Sequence, residues 1–187
     1  MATLPSRRLL TVGSTSTASL AASATSRCKA SRSPKATAAR YTWKHPLLYY
    51  QLPAPERVPA WDYTHNFAGG NMLSTAEDLV RLGAALQTPG YLSQAELAKI
   101  ATRPKLADGR ATSSSYGWSV SAPEDERLIS MTGSNAGVQA GVFSYPERKL
   151  AVSVLANAWG IGSESGELVT DLPKRLAELC APRPAAT

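Results

Sequence analysis

Acidic residues are missing from the first 55 positions of this 187-residue chain, the first being Glu56. Eight basic residues stand there instead: Arg7, Arg8, Arg27, Lys29, Arg32, Lys35, Arg40 and Lys44. The rest of the chain holds 12 basic against 14 acidic residues, so the formal net charge of +6 belongs to the N-terminal segment. Overall charge therefore gives no ground for reading the folded part as a binder of nucleic acid or anionic lipid, and no nucleic-acid partner is expected. Cysteine is equally scarce. Cys28 and Cys180 form no CxxC pair and no metal spacing, and are expected to be free thiols. The two histidines, His45 and His65, have no cysteine or second histidine close by, so no zinc site and no cofactor are expected. No run approaches the ~20 apolar residues that cross a bilayer, so no transmembrane segment is expected.

What is present bounds a single domain. A chain of 187 residues is long enough for one compact core and too short for two ordinary ones. Residues 1–39 are rich in Ser, Ala, Thr and Arg, with neither helical nor strand periodicity. Three readings stay open for them. Ser6-Arg7-Arg8-Leu9-Leu10 followed by Ala22-Ser23-Ala24 has the form of a twin-arginine export leader. The Arg/Ser-rich, acid-free composition also suits an organellar transit peptide, and the plainest reading is a disordered tail or a mis-assigned start. All three place the segment outside the fold. The protein is exported if the leader is real and cytoplasmic otherwise.

Tyr41–Asp62 mixes five aromatics with Pro46, Pro53, Pro55 and Pro59, as in an extended segment wrapped over a core. After Gly69-Gly70, Ser74 and Glu77 form a capping box that opens a helix ended by Pro89-Gly90. Its expected buried face is Ala76, Leu79, Leu82, Gly83 and Leu86. Ser93 and Glu96 repeat the box before a short helix to about Thr102, stopped by Pro104. Leu106–Ser115 reads as a loop turning at Asp108-Gly109, Tyr116–Ser121 as a short strand, and Pro123–Arg127 as a charged turn. Leu128–Thr132, Gly137–Tyr145 and Leu150–Asn157 read as a three-stranded antiparallel sheet, with Pro146-Glu147-Arg148 as one of its turns. Both faces of the last strand are largely apolar, which implies cover on both sides. A closing helix, Glu167–Cys180, is expected to break near Pro173 and to pack through Leu172, Leu176 and Leu179.

Several segments carry possible chemistry. Gly133-Ser134-Asn135-Ala136-Gly137 has the glycine spacing of a nucleophile elbow but places Asn135 where serine is required, and reads as a tight loop. Asp62 and His65 could be drawn into a triad, yet His65 reads as a packed histidine ahead of the Gly-Gly turn. Trp118 and Trp159 read as core or rim aromatics.

Taken in order, Ala68-Gly69-Gly70-Asn71-Met72-Leu73-Ser74-Thr75-Ala76-Glu77-Asp78-Leu79, Tyr116-Gly117-Trp118, Thr132-Gly133, Pro146-Glu147-Arg148 and Leu155-Ala156-Asn157 resemble the C-terminal half of the serine β-lactamase-like hydrolases. That group includes the class C β-lactamases, D,D-peptidases and esterases. The resemblance runs from about Arg40 to Cys180 and implies an α+β fold, an antiparallel sheet flanked by helices. It implies a partial domain over residues 40–180, with 181–187 as a tail. Family chemistry is acyl transfer through a serine, on a small-molecule ester, amide or β-lactam. By the same match Thr132 would hydrogen-bond a ligand carboxylate or carbonyl, Gly133 would let the acyl chain approach, and the Ser134 N–H would be one of two oxyanion donors.

Other family positions differ. Met131 stands where the family has a basic residue, and it neither donates a hydrogen bond nor carries charge. The only Ser-x-x-Lys is Ser26-Arg27-Cys28-Lys29, in the head; Tyr63-Thr64-His65-Asn66 is one residue too long for Tyr-x-Asn. No catalytic residue is assigned. The expectation is a truncated or degenerate hydrolase, inactive alone, or a non-catalytic module for acyl or peptidoglycan ligands. Without a strand from the N-terminus, Leu150–Asn157 would be an apolar edge open to self-association.

Overall fold

The computed structural model describes residues 20–24, 41–44, 51–58, 69–70, 72–121, 126–135, 137–159 and 168–180. Strands β1 (Leu20–Ala24), β2 (Tyr41–Lys44) and β3 (Gln51–Arg57) come first, then helices α1 (Ala76–Ala85) and α2 (Gln94–Ile100). Strands β4 (Ser114–Ser115), β5 (Trp118–Ser121), β6 (Leu128–Asn135), β7 (Val138–Tyr145), β8 (Leu150–Ala156) and β9 (Ala158–Trp159) follow, and α3 (Leu168–Cys180) closes. The main sheet has six strands in the order β1-β8-β7-β6-β5-β4, antiparallel throughout. A second sheet, β3-β2-β9, puts Pro53 and Pro55 on an edge strand, where a missing ladder donor is tolerated. The expected α+β class is observed, with a larger sheet than the three strands anticipated.

Strand β8 is the centre of this architecture. Leu150, Val152 and Val154 face one way and join Phe143, Tyr145, Val169, Leu176, Ala177 and Cys180 in one buried cluster, so α3 covers that face. Ala151 and Ser153 face the other way, under α1. The cover on both faces that the sequence implied is there.

Its edge is closed as well, and this overturns an expectation. β1 runs antiparallel to β8 from Leu20 opposite Ala156 to Ala24 opposite Val152. The apolar edge expected at Leu150–Asn157 is thus covered within the chain from Val152 to Ala156. Five residues of the segment expected to lie outside the fold are a strand of its main sheet. Their sequence, LAASA, lacks the β-branched and aromatic side chains that mark strands, so β8 rather than local propensity dictates their conformation.

Helix α1 docks by close approach. Its buried positions are Ala76, Val80 and Gly83, whereas Leu82 is exposed and Leu79 only half-buried. The expected leucine face is therefore rotated toward smaller residues, for a visible reason. Ser153 Oγ donates to the Ala76 carbonyl (2.8 Å) and Ser144 Oγ to the Gly83 carbonyl (2.8 Å), which needs the helix backbone close to the sheet. A Cβ on Gly83 would stand 3.1 Å from the Ala151 Cβ. Gln87 Nε2 extends the contact, donating to the Leu150 carbonyl (2.7 Å) and to Ser144 Oγ (3.1 Å). The N-cap is Thr75, one residue later than expected, with Thr75 Oγ1 accepting from the Asp78 N–H (3.1 Å).

Helix α2 carries the expected capping box. The Ser93 hydroxyl accepts from the Glu96 N–H and the Glu96 carboxylate accepts from the Ser93 N–H. Hydrogen bonds from Ser93 hold the Glu96 carboxyl below its usual range. Tyr116-Gly117, expected inside a strand, form the two-residue turn between β4 and β5. Both have positive φ (48° and 83°), the signature of a type I′ hairpin turn.

Helix α3 continues through Pro173 rather than breaking there, and Pro173 is fully buried. Its stripe is Val169, Leu176, Ala177 and Cys180, and Leu179 points outward. Cys180 is disulfide-bonded, which corrects the free-thiol expectation for it. Arg148 is buried in the β7–β8 turn, paired with the buried Glu126 and with Glu178 of α3, and lies over the Tyr145 ring at 5.4 Å. Burial alone would favour losing its proton, but the hydrogen bonds it donates to the Glu126 and Glu178 carboxylates outweigh it and keep the guanidinium charged. Among the described residues no helix is long and apolar enough to cross a membrane.

Gly141 is the tightest position between sheet and α3. A Cβ there would stand 2.6 Å from the Phe143 Cε2 and 3.2 Å from the Val169 carbonyl. Gly141→Ala should destabilise the protein by about 1–3 kcal/mol in urea unfolding, because ring and helix must both give way. An unchanged midpoint would contradict this packing.

Candidate functional site

The expected site residues Thr132, Gly133 and Ser134 all lie on β6, which runs to Asn135 rather than ending at Thr132. β7 pairs with it along its length, setting Thr132 opposite Gly141, Gly133 opposite Ala140 and Ser134 opposite Gln139. On its other side β5 pairs only with Leu128, Ile129 and Ser130, then turns back at Tyr116-Gly117. Met131 to Asn135 therefore have a partner strand on one side only among the described residues. The strand is anchored at one end, where Ile129 is fully buried, and presents Met131, Thr132, Gly133 and Ser134 to solvent at the other.

The pleat divides these residues between two faces. Residues directly opposite one another in an antiparallel pair share a face. Thr132 and Ser134 share theirs with Gly141 and Gln139, on the side that α3 covers farther along the sheet. Met131 and Gly133 share the other with Val142 and Ala140, on the α1 side. A Cβ on Gly133 would meet nothing within 4 Å, so space is open above it and packing within the chain does not demand glycine there.

The chemistry available is that of a hydrogen-bonding wall: two exposed hydroxyls, a stretch of strand edge and an open notch at a glycine. Among the described residues, Met131, 43% exposed, takes the position next to Thr132 at which a basic side chain was looked for. Ser26-Arg27-Cys28-Lys29, His45 and Tyr63-Thr64-His65-Asn66 lie outside the described residues. A shallow hollow of about 310 Å³ lined by Ala98, Lys99, Thr102, Pro104 and Tyr116 lies between α2 and the β4–β5 turn and includes none of the three site residues. Trp118 and Trp159 are half-buried.

One residue beside the wall escaped sequence reasoning. Gln139 is buried opposite Ser134, and its Oε1 has no hydrogen-bond partner. The available signal was a lone amide in a mostly apolar strand, VQAGVFSY, which belongs to no motif.

The model of the Beta-lactamase family matches residues 21–169, from within β1 to the start of α3. The chain belongs to the Beta-lactamase family. The match begins well before Arg40, where the resemblance was expected to start, and the earlier start coincides with the strand that closes the sheet. No curated protein matches the chain.

The open space at Gly133 separates a ligand role from a structural one. Gly133→Ala should leave thermal stability within about 0.5 kcal/mol, since the methyl group meets no neighbour and a strand favours Ala over Gly. Binding of a β-lactam to the same variant should weaken at least several-fold by calorimetry. Equal affinity in wild type and variant would remove Gly133 from the site.

Proposed function

We propose that this chain is a degenerate serine hydrolase of the Beta-lactamase family that does not turn over substrate on its own. One observation carries this reading: an exposed thioether, Met131, stands beside Thr132-Gly133 where acyl transfer calls for a proton donor and positive charge. The remaining wall could still orient a ligand. In this reading Thr132 donates to a carboxylate or carbonyl, Gly133 admits the acyl chain, and the Ser134 N–H points toward the oxygen on which charge would develop. An oxyanion wall acting without nucleophile and base gives at most a residual ~10³–10⁴-fold effect over water.

A second reading is favoured by the exposure of those three residues and the open space above Gly133. It makes the chain a non-catalytic module for acyl or peptidoglycan-like ligands, built on the same wall.

A chromogenic β-lactam and a fluorogenic ester, each followed by intact-protein mass spectrometry, test both. The expected result is no turnover and no acyl adduct; saturable binding without an adduct supports the module. Turnover that a serine-directed phosphonate abolishes would contradict both readings. Met131→Lys should tighten binding of carboxylate-bearing ligands about tenfold, through one added charge-assisted hydrogen bond, and leave turnover absent.

A further inference from the structure

Gln139 of β7 is 6% exposed, and its Oε1 is buried without a hydrogen-bond partner among the described residues. A buried acceptor left unpaired lowers stability, whereas an apolar side chain of similar shape at the same place does not. Packing therefore gives no reason for an amide here. The register shows what stands beside it. On the β8 side the residue opposite is Ala156, and two residues along β7 on the same face is Gly141; neither side chain carries a donor. On the β6 side the residue opposite is Ser134, an exposed hydroxyl of the candidate wall. Thr132 is diagonal to Gln139, at about 7–8 Å by strand geometry, so Ser134 is the nearer donor.

Opposite residues of an antiparallel pair hold their Cβ atoms about 4.5–5.5 Å apart, a gap that a glutamine amide and a serine hydroxyl bridge by changing rotamer. A hydroxyl has one proton and two lone pairs. Once Ser134 gives its proton to Gln139 Oε1, what it offers a ligand is a lone pair. Such a hydroxyl accepts from an N–H. An ester oxygen in the same place brings a lone pair against a lone pair.

We propose that Gln139 is a positioning residue that fixes the direction of the Ser134 hydroxyl when a ligand binds, so that the wall selects ligands carrying an amide N–H over their ester counterparts. This rests on the reading of Thr132, Gly133 and Ser134 as a ligand wall, and adds to it the class of ligand. The hydrogen bonds run from the ligand N–H to Ser134 Oγ and from the Ser134 O–H to Gln139 Oε1, and no covalent bond changes. Each bond polarises the next, and the ligand completes a pairing that the free chain lacks.

The test titrates the full chain, Gln139→Met, Ser134→Ala and the double variant by calorimetry. The probes are benzylpenicillin and its acyloxy counterpart, in which oxygen replaces the side-chain N–H. Methionine keeps the unbranched shape of glutamine and removes the acceptor. The wild type should bind the amide about tenfold more tightly than the ester, the worth of one hydrogen bond. Each single variant should reduce that preference to about twofold or less, and the double variant should lose no more than either. The melting temperature of unliganded Gln139→Met should equal that of the wild type or exceed it. A fall of more than about 3 °C would show that Oε1 is already paired in the free protein, and would overturn the proposal. Equal binding of amide and ester by the wild type, or a preference that survives Gln139→Met, would overturn it too and leave the wall in place. Binding of neither compound would overturn the wall and this proposal with it.

Discussion

β8 has no free side, and the rest of the structure is arranged to keep it so. A strand with valine, alanine, leucine and serine on both faces has to find apolar or hydrogen-bonding cover above and below, and a neighbour along each edge. α3 supplies one face with Val169, Leu176, Ala177 and Cys180. α1 supplies the other through carbonyls that accept from Ser144 and Ser153. β7 pairs one edge and β1 the other. Remove any of the four and a different part of the same strand meets water.

This enclosure explains where the candidate site lies. Burial declines across the sheet from β8 through β7 to β6, and on β6 it declines along the strand, from the fully buried Ile129 to the exposed Ser134. The exposed end is held in place by strands that are fixed for reasons of packing. In the proposed reading this exposed end is a ligand wall held by its neighbouring strand, the arrangement that preorganised recognition requires. Methionine at 131 leaves that geometry in place and changes only the chemistry.

Legibility in the sequence followed the range of the interactions involved. The Ser93–Glu96 capping box is a contact between residues three apart, so the sequence alone displays it. The alternation of β7 and β8 was readable because burial on both faces leaves a long apolar run. The face of α1 was not, because serines 144 and 153, far along the chain, draw the helix in through small residues and leave Leu82 outside. β1 was not readable either, since LAASA becomes a strand only beside β8. Tyr116 reads as a strand residue from the sequence, while the turn depends on Gly117 beside it and on the pairing of Ser115 with Trp118. Thr132, Gly133 and Ser134 can be singled out from the sequence, but the place of Gln139 opposite Ser134 requires the register.

The central claim is that the chain closes its own sheet, with Leu20–Ala24 along β8. Isotope-filtered NMR on a mixture of labelled and unlabelled protein tests it most directly. The account predicts cross-strand contacts between Ala22 and Val154 within single molecules at every concentration. Contacts that arise only between molecules, or none at all from Leu20–Ala24 to β8, would contradict it.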